Sequence, residues 1–425
     1  MIEDLEHTPE PVFPHYERVN KPQRKSLPTI VEFCIGGLCG LAFGLTMLFF
    51  LVTLINGSTA GTRDFVVYWA AGSQLAHHAN PYDRETISQI ERTAGLPTAY
   101  NAMFVRNPPW TLPITLPLGY VGLRVGSLLW SLLLIACLAL SVRLLWLMHG
   151  RPRNRIYWLA ISFGPALVCL IVGQTSIFAL LGLVLFLHLH RTRPFLAGAS
   201  LWFCALKPHL FLSFGVVLLV WVIVSRSYQI VLGGLSALAA SSALVWLLDP
   251  LAWSQYAQMM RTSGIQKEFI PCLSIVLRLW ISPERAWLQY VLACGACVWA
   301  LVYYWRRRHV WNWQTDGSLL MLISLVTAPY YWLFDQALLL PAILQGAYAT
   351  RSRKVLAALA IGSMLVELAL FGGTWKPSAM YLWTVWTAPA WLGWYLIACY
   401  LYGSREEEQQ PGDKELQESP LKTAG

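Results

Sequence analysis

Long apolar stretches, separated by short breaks in which Lys and Arg cluster at alternate positions, constrain this chain more than anything else in it. The first stretch, Ile30 to Ile55, holds Glu32 near its start and is otherwise uncharged. A helix needs about 20 apolar residues to cross a bilayer. Apolar blocks without alternation exclude the period-two pattern of a β-barrel. The 425 residues are 56% hydrophobic and 12% charged, and that charged share is about half the usual one for a soluble domain. The expected fold class is therefore an all-α polytopic membrane protein.

The basic residues fix the rest of the plan. A net charge of +9 raises nucleic acid as a partner, but the charge is not gathered into a patch. It lies at Lys21, Arg24 and Lys25, at Arg151, Arg153 and Arg155, at Arg191 and Arg193, at Arg226, at Arg306, Arg307 and Arg308, and at Arg351, Arg353 and Lys354. That alternation is the positive-inside pattern. It predicts a multi-pass plasma-membrane protein with cytoplasmic termini and no nucleic-acid partner. Residues 1–29 read as a cytoplasmic segment, 30–402 as the membrane domain and 403–425 as a disordered acidic tail. The first block lacks a small-residue cleavage site and reads as a retained helix.

About twelve spans fit. After Ile30–Ile55 come Val125–Met148, Ile156–Val172, Ile177–His190, Phe195–Leu206, Leu210–Val224, Ile230–Leu248, Ala286–Trp305, Ser318–Phe334, Gln336–Ala349, Leu356–Phe371 and Met380–Tyr402. Outer loops cover about 56–124 and 249–285. In the first of these, Asp64–Ala76 and Arg84–Ala94 read as amphipathic helices at the membrane interface, parted by Asn80-Pro81-Tyr82-Asp83. Leu112–Val121 reads as re-entrant. Nine cysteines fall mostly inside apolar blocks, and Cys294-x-x-Cys297 reads as two small apolar residues. Several spans are short, and short helices border cavities lined by protein. The polar breaks between them all fall on the outer side: Gly173-Gln174-Thr175-Ser176, Lys207-Pro208-His209, and Pro329 through Gln336.

In order, Asp64-Phe-Val-Val-Tyr68-Trp69, Asn80-Pro81-Tyr82-Asp83, Pro108-Pro109, Gly173-Gln174, Ala205-Leu-Lys207-Pro208-His209 and Ala328-Pro329-Tyr330 through Asp335 resemble glycosyltransferase family 87. The resemblance runs from the first span to about Pro341. It implies a GT-C fold and an inverting transfer in which a sugar, mannose in related enzymes, leaves a polyprenyl phosphate on the outer face for a lipid or glycan acceptor. It implies a carboxylate base at the outer end of the first span, here Asp64. Asn107 before the double proline and an unmatched 249–285 loop depart from the pattern.

Such chemistry needs a carboxylate to take the acceptor's proton and donors to receive the charge that builds on the departing phosphate. Asp64 fits the first role; a helix N-cap, or an ion pair with Arg63, is its plain alternative. Lys207 interrupts an apolar run on the outer side, where an unpaired ammonium is costly. It reads as a phosphate ligand, with His209 as a weaker partner, or else as a snorkelling anchor. Asp335 reads as a cation-orienting or sugar-binding group, or as a helix cap. Gln174 reads as a bridge to phosphate or sugar oxygens, or as a turn residue. Arg63, Arg106, Tyr68 and Tyr82 are lesser candidates, and Glu367 is an intramembrane carboxylate without a role. No cluster of acidic residues on the outer loops predicts a hard-cation site, so a metal-independent enzyme without a cofactor is expected. A transporter or flippase of a lipid-linked sugar competes with this reading, but it needs polar groups reachable from both faces, and these lie on one. A non-catalytic envelope-assembly subunit leaves Asp64 unexplained.

This topology predicts that a cysteine introduced at Ser73 or Thr262 reacts with an impermeant thiol reagent in intact cells and that one at Ser352 does not. Strong labelling at Ser352 would overturn it.

Overall fold

The computed structural model describes residues 64–96, 103–152, 155–264, 269–350, 352–373 and 384–409, with isolated positions in the first apolar block. That block as a whole, the 1–29 segment, Arg63 and the end of the tail lie outside the described residues. Among the described residues all regular structure is helical.

The helices are α1 (Phe65–Ala76), α2 (Arg84–Thr93), α3 (Leu123–Met148), α4 (Gly164–Val172), α5 (Ser176–Leu189), α6 (Pro194–Cys204), α7 (Leu212–Ser225), α8 (Tyr228–Leu248), α9 (Ala252–Thr262), α10 (Leu273–Ile281), α11 (Val291–Arg307), α12 (Asp316–Val326), α13 (Leu340–Ala349), α14 (Arg353–Gly373) and α15 (Thr387–Gln409). Four helical segments are long and apolar enough to cross a membrane: Leu123–Met148, Pro208–Ser225, Tyr228–Leu248 and Ala286–Arg307. Ser176–Leu189, Pro194–Cys204 and Asp316–Val326 are shorter apolar helices. This is a membrane protein by its helices, although the count of about twelve full spans is not reproduced among the described residues.

Two expected spans are interrupted, each near a proline. Ile156–Val172 breaks at Phe163, because Pro165 opens α4 and the residue before a proline disfavours helix. The break is closed from outside: the Ser363 hydroxyl of α14 donates to the Ser162 carbonyl and accepts the Gly164 amide, both at 2.6 Å. Ser318–Phe334 ends as a helix at Val326. Ala328 and Pro329 follow, and a 3₁₀ helix, Leu333–Leu339, leads into α13. At the other end, α15 runs on to Gln409, past the expected start of the disordered tail.

The first outer loop also departs from expectation. α1 is no interface helix, because Phe65, Val66, Val67, Tyr68, Ala70, Ala71 and Leu75 are all buried. The stretch expected to be re-entrant covers it as two 3₁₀ turns, Pro109–Ile114 and Leu116–Tyr120. Backbones meet there: a Cβ on Gly72 would lie 2.1 Å from the Thr115 carbonyl oxygen, and one on Gly119 2.3 Å from that of Gly72. The Trp69 indole donates to the Val121 carbonyl at 2.9 Å and fastens the turns to α1.

Only α2 keeps the expected amphipathic form. Asp83 caps it, accepting the Glu85 amide. Its buried face carries Ile87 and, one turn on, Glu91. Both Glu91 oxygens accept the Met103 amide, at 3.2 and 2.9 Å, which clamps the start of the segment that leads to Asn107.

Burial pushes the Glu91 carboxyl up to about 7 from its ordinary 4.5, against the pull of the Met103 amide. A raised folded-state pKa contributes stability that is complete below the ordinary value and is lost as pH rises through the folded one. The unfolding midpoint of the protein is therefore expected to fall between about pH 5 and pH 8, the window set by that shift. Glu91→Gln, which keeps the acceptor, should flatten the slope. Equal slopes in the two proteins would refute the clamp's titration.

Candidate functional site

Three turns of the bundle and the start of α1 meet at one place. The first turn joins α4 to α5. Gly173 closes α4 in the left-handed region, at φ 76°, a conformation glycine takes without strain. The Trp130 indole donates to its carbonyl at 2.8 Å. This puts Gln174 and Ser176 at the head of α5. The second turn joins α6 to α7 and carries Lys207, fixed because Pro208 starts a 3₁₀ turn. The third is the 3₁₀ helix Leu333–Leu339, with Asp335 inside it.

The Lys207 ammonium binds all three. It lies 2.6 Å from Asp335 Oδ1 and 3.0 Å from both Gln174 Oε1 and Ser176 Oγ. An ammonium has three protons, so this set saturates it. Its charge also sits over the Phe334 ring, 4.6 Å from the centroid. Asp335 completes its own shell with the Ser176 hydroxyl at 2.6 Å and the Trp332 amide at 2.8 Å. Asp335 is 1% exposed and Lys207 8%. A buried pair of this kind holds only when every remaining proton and lone pair finds a partner, and here the partners are present.

Gln174 passes the arrangement on to Asp64. Its Oε1 accepts from Lys207 and also from the Tyr68 hydroxyl, at 2.8 Å. With two donors on the oxygen, the amide nitrogen points the other way, where Nε2 donates to Asp64 Oδ2. Asp64 occupies the N-cap position of α1, but its side chain makes no cap hydrogen bond. It is half-buried, the one member of this chain of bonds with appreciable access to solvent.

Of the residues singled out from the sequence, the structure brings Asp64, Tyr68, Gln174, Lys207 and Asp335 into one network. His209 stands beside it, stacked on Tyr330 with ring centroids 3.9 Å apart. Arg106 lies over the Phe104 ring at 4.7 Å and within charge range of Tyr330. Tyr82 is not in the network. Its hydroxyl donates to the Asn107 carbonyl at 3.0 Å and its ring packs on Tyr256. Glu367 is buried in α14, and none of the hydrogen bonds above includes it. Within the ion pair, the Lys207 ammonium has its three protons on protein groups. Asp335 does cap its own 3₁₀ turn, through the Trp332 amide, but its other oxygen is the counter-ion of Lys207.

The sequence reading passed over Ser176, although it lies in a polar break noted there, and Trp130. It also left Asn107 as a departure from the family pattern, bearing on acceptor choice. The Asn107 amide donates to the Leu206 carbonyl at 2.9 Å, and the Trp110 indole donates to that of Ala205 at 3.0 Å. The Asn-Pro-Pro-Trp segment therefore grips the two residues that precede Lys207. Two polar side chains around a rigid double proline were the available signal. Among the described residues, no group of three His, Cys, Asp or Glu side chains converges as a metal site would need.

No curated protein and no solved structure matches the chain significantly. The family model described as glycosyltransferase family 87 matches residues 104–329, just over half of the sequence. The matched region takes in Arg106, Gln174, Lys207 and His209, while Asp64, Tyr68 and Asp335 lie outside it. With that match over a helical membrane scaffold, the chain belongs to glycosyltransferase family 87.

Proposed function

We propose that this glycosyltransferase moves a sugar, mannose, from a polyprenyl-phosphate donor to a lipid or glycan hydroxyl at the extracytoplasmic face of the plasma membrane. Transfer proceeds with inversion and without a resident metal, and Asp64 is the general base. The observation that carries this reading is the polar chain that runs from the buried Lys207–Asp335 pair through Gln174 to the half-buried carboxylate of Asp64. Lys207 and Asp335 neutralise one another, and the Gln174 amide donates to Asp64 Oδ2 and fixes the orientation of that carboxylate.

In this reading the acceptor hydroxyl gives its proton to Asp64 as its oxygen forms a bond to the anomeric carbon. The bond from that carbon to the phosphate oxygen breaks, and the polyprenyl phosphate leaves with the electron pair. Lys207 acts by position, holding the Gln174 amide against Asp64. The polar turns lie at the opposite ends of α5, α6 and α7 from Arg191, Arg193 and Arg226, which supports an extracytoplasmic site under the positive-inside rule.

Removing one partner of the buried pair should be costly. Lys207→Met alone is expected to lose about 3–5 kcal/mol of stability, and Lys207→Met with Asp335→Leu should recover most of that loss. Thermal unfolding of the purified variants measures both. A single variant as stable as the wild type would mean that the pair does not hold the turns. Asp64→Asn keeps an oxygen for the Gln174 amide and cannot take a proton. Donor binding should survive, and transfer from a radiolabelled polyprenyl-phosphate sugar should fall by about two to four orders of magnitude. A fully active Asp64→Asn would remove Asp64 from the chemistry.

A further inference from the structure

α7 and α11 lie side by side, with the Ser213 hydroxyl and the Cys297 thiol 3.8 Å apart. Toward their C-terminal ends a groove of about 350 Å³ lies between them, lined by Val220 of α7 and by Leu301, Val302, Tyr304, Trp305 and Arg306 of α11. Its floor is rigid. Tyr304 is 1% exposed, and its ring packs edge-on against Trp311, which packs in the same way on Trp313 and, through it, on Trp221 beside Val220. Its outer wall is open: Val302 and Trp305 are 47% and 55% exposed.

The end of α11 carries Arg306, Arg307 and Arg308, and their guanidinium groups are employed differently. Arg307 binds Asp316, Nε to Oδ1 at 3.1 Å. Arg308 donates to the Trp305 carbonyl at 2.9 Å and lies over its ring, 4.5 Å from the centroid, which fixes that indole as a wall. Arg306 is exposed, lines the groove, and makes no hydrogen bond or ion pair among the described residues. An apolar trough with an uncommitted guanidinium at its basic end matches an amphiphile. A tail fits beside Val220, Leu301 and Val302, and an anionic head fits the arginine fork, which binds a phosphate through two parallel hydrogen bonds. A snorkelling arginine also ends a spanning helix, but it needs no groove beside it.

We propose that this groove binds one anionic glycerophospholipid from the leaflet that the positive-inside rule assigns to the cytoplasm. Its phosphate sits on Arg306, and an acyl chain lies along Val220, Leu301 and Val302. Charge complementarity decides for an anionic lipid: α7 closes on Arg226 and α11 on its arginines, and basic pockets between spanning helices attract anionic headgroups at that face. The groove lies at the opposite end of α7 from Lys207, so its occupant is not the donor of the reaction proposed above. The inference does not depend on that reaction, and its test involves no turnover.

The test follows the unfolding midpoint of the purified full-length protein in detergent. Dioctanoyl phosphatidylglycerol should raise it. Dioctanoyl phosphatidylcholine, with the same tails and no net charge, and inorganic phosphate, with charge and no tail, should not. Arg306→Gln should weaken binding of phosphatidylglycerol about tenfold or more. Without lipid it should unfold as the wild type does, because the side chain it replaces is exposed and unpaired. Val302→Trp keeps every charge and fills the groove, so it should abolish the response; a merely snorkelling Arg306 predicts no effect. Arg191→Gln, which removes an exposed arginine from the turn after α5, should respond as the wild type does. Geranylgeranyl phosphate, a stand-in for the proposed donor, should act on Val302→Trp as it does on the wild type. The proposal is overturned if phosphatidylglycerol has no effect, or if phosphatidylcholine or inorganic phosphate works equally well. It is also overturned if Arg306→Gln or Val302→Trp responds in full, if Arg191→Gln loses the response, or if Val302→Trp loses a response to geranylgeranyl phosphate, since the groove would then hold the donor.

Discussion

The ammonium of Lys207 ties together parts of the chain that sequence keeps far apart. Its three protons reach Gln174 and Ser176 on one turn and Asp335 on another, while Lys207 itself belongs to a third. In a membrane protein these turns have little hydrophobic reason to meet, because lipid tails are as apolar as the side chains they would cover. Charge supplies the reason. An ammonium away from water is tolerable only when opposed and fully hydrogen-bonded, and the one arrangement that satisfies it brings the three turns to a point.

The consequences run outward from that pair. Because Gln174 Oε1 is occupied by Lys207 and Tyr68, the orientation of its amide is decided by hydrogen bonding, and its nitrogen must face Asp64. The carboxylate on α1 is thereby held by a polar rod that reaches into the bundle. α1 is itself pinned by backbone contact with the 3₁₀ turns beneath it, and the same first outer loop grips the residues before Lys207 through Asn107 and Trp110. One loop therefore positions both ends of the network.

Other buried charges of the loops are handled differently. Glu91 keeps a single backbone donor, and its carboxyl rises toward neutrality. A guanidinium has no such release: Arg278 stays charged, with Nη1 on Gln289 Oε1. The contrast follows from side-chain chemistry: a carboxyl escapes the cost of burial by taking a proton, and an arginine cannot escape by losing one.

Much of the architecture was legible in the sequence. Apolar blocks declared the helices, and Pro165, Pro208 and Pro329 stand beside their breaks. The residues Asp64, Gln174, Lys207 and Asp335 stood out because each is a polar group next to an apolar run. The sequence also marked Gly173 as a place where a helix turns. Which of these groups touch was not legible. A lysine in an apolar stretch reads equally well as a ligand for phosphate or as half of an ion pair, since the cost of burying it is the same until its partner is known. α1 looked like an interface helix because its cover comes from a segment some forty residues away. Sequence determined the elements and the polar positions, because backbone propensity and transfer free energy are local. Tertiary structure alone decided the pairing, since hydrogen bonds between residues more than a hundred positions apart depend on how the helices between them pack.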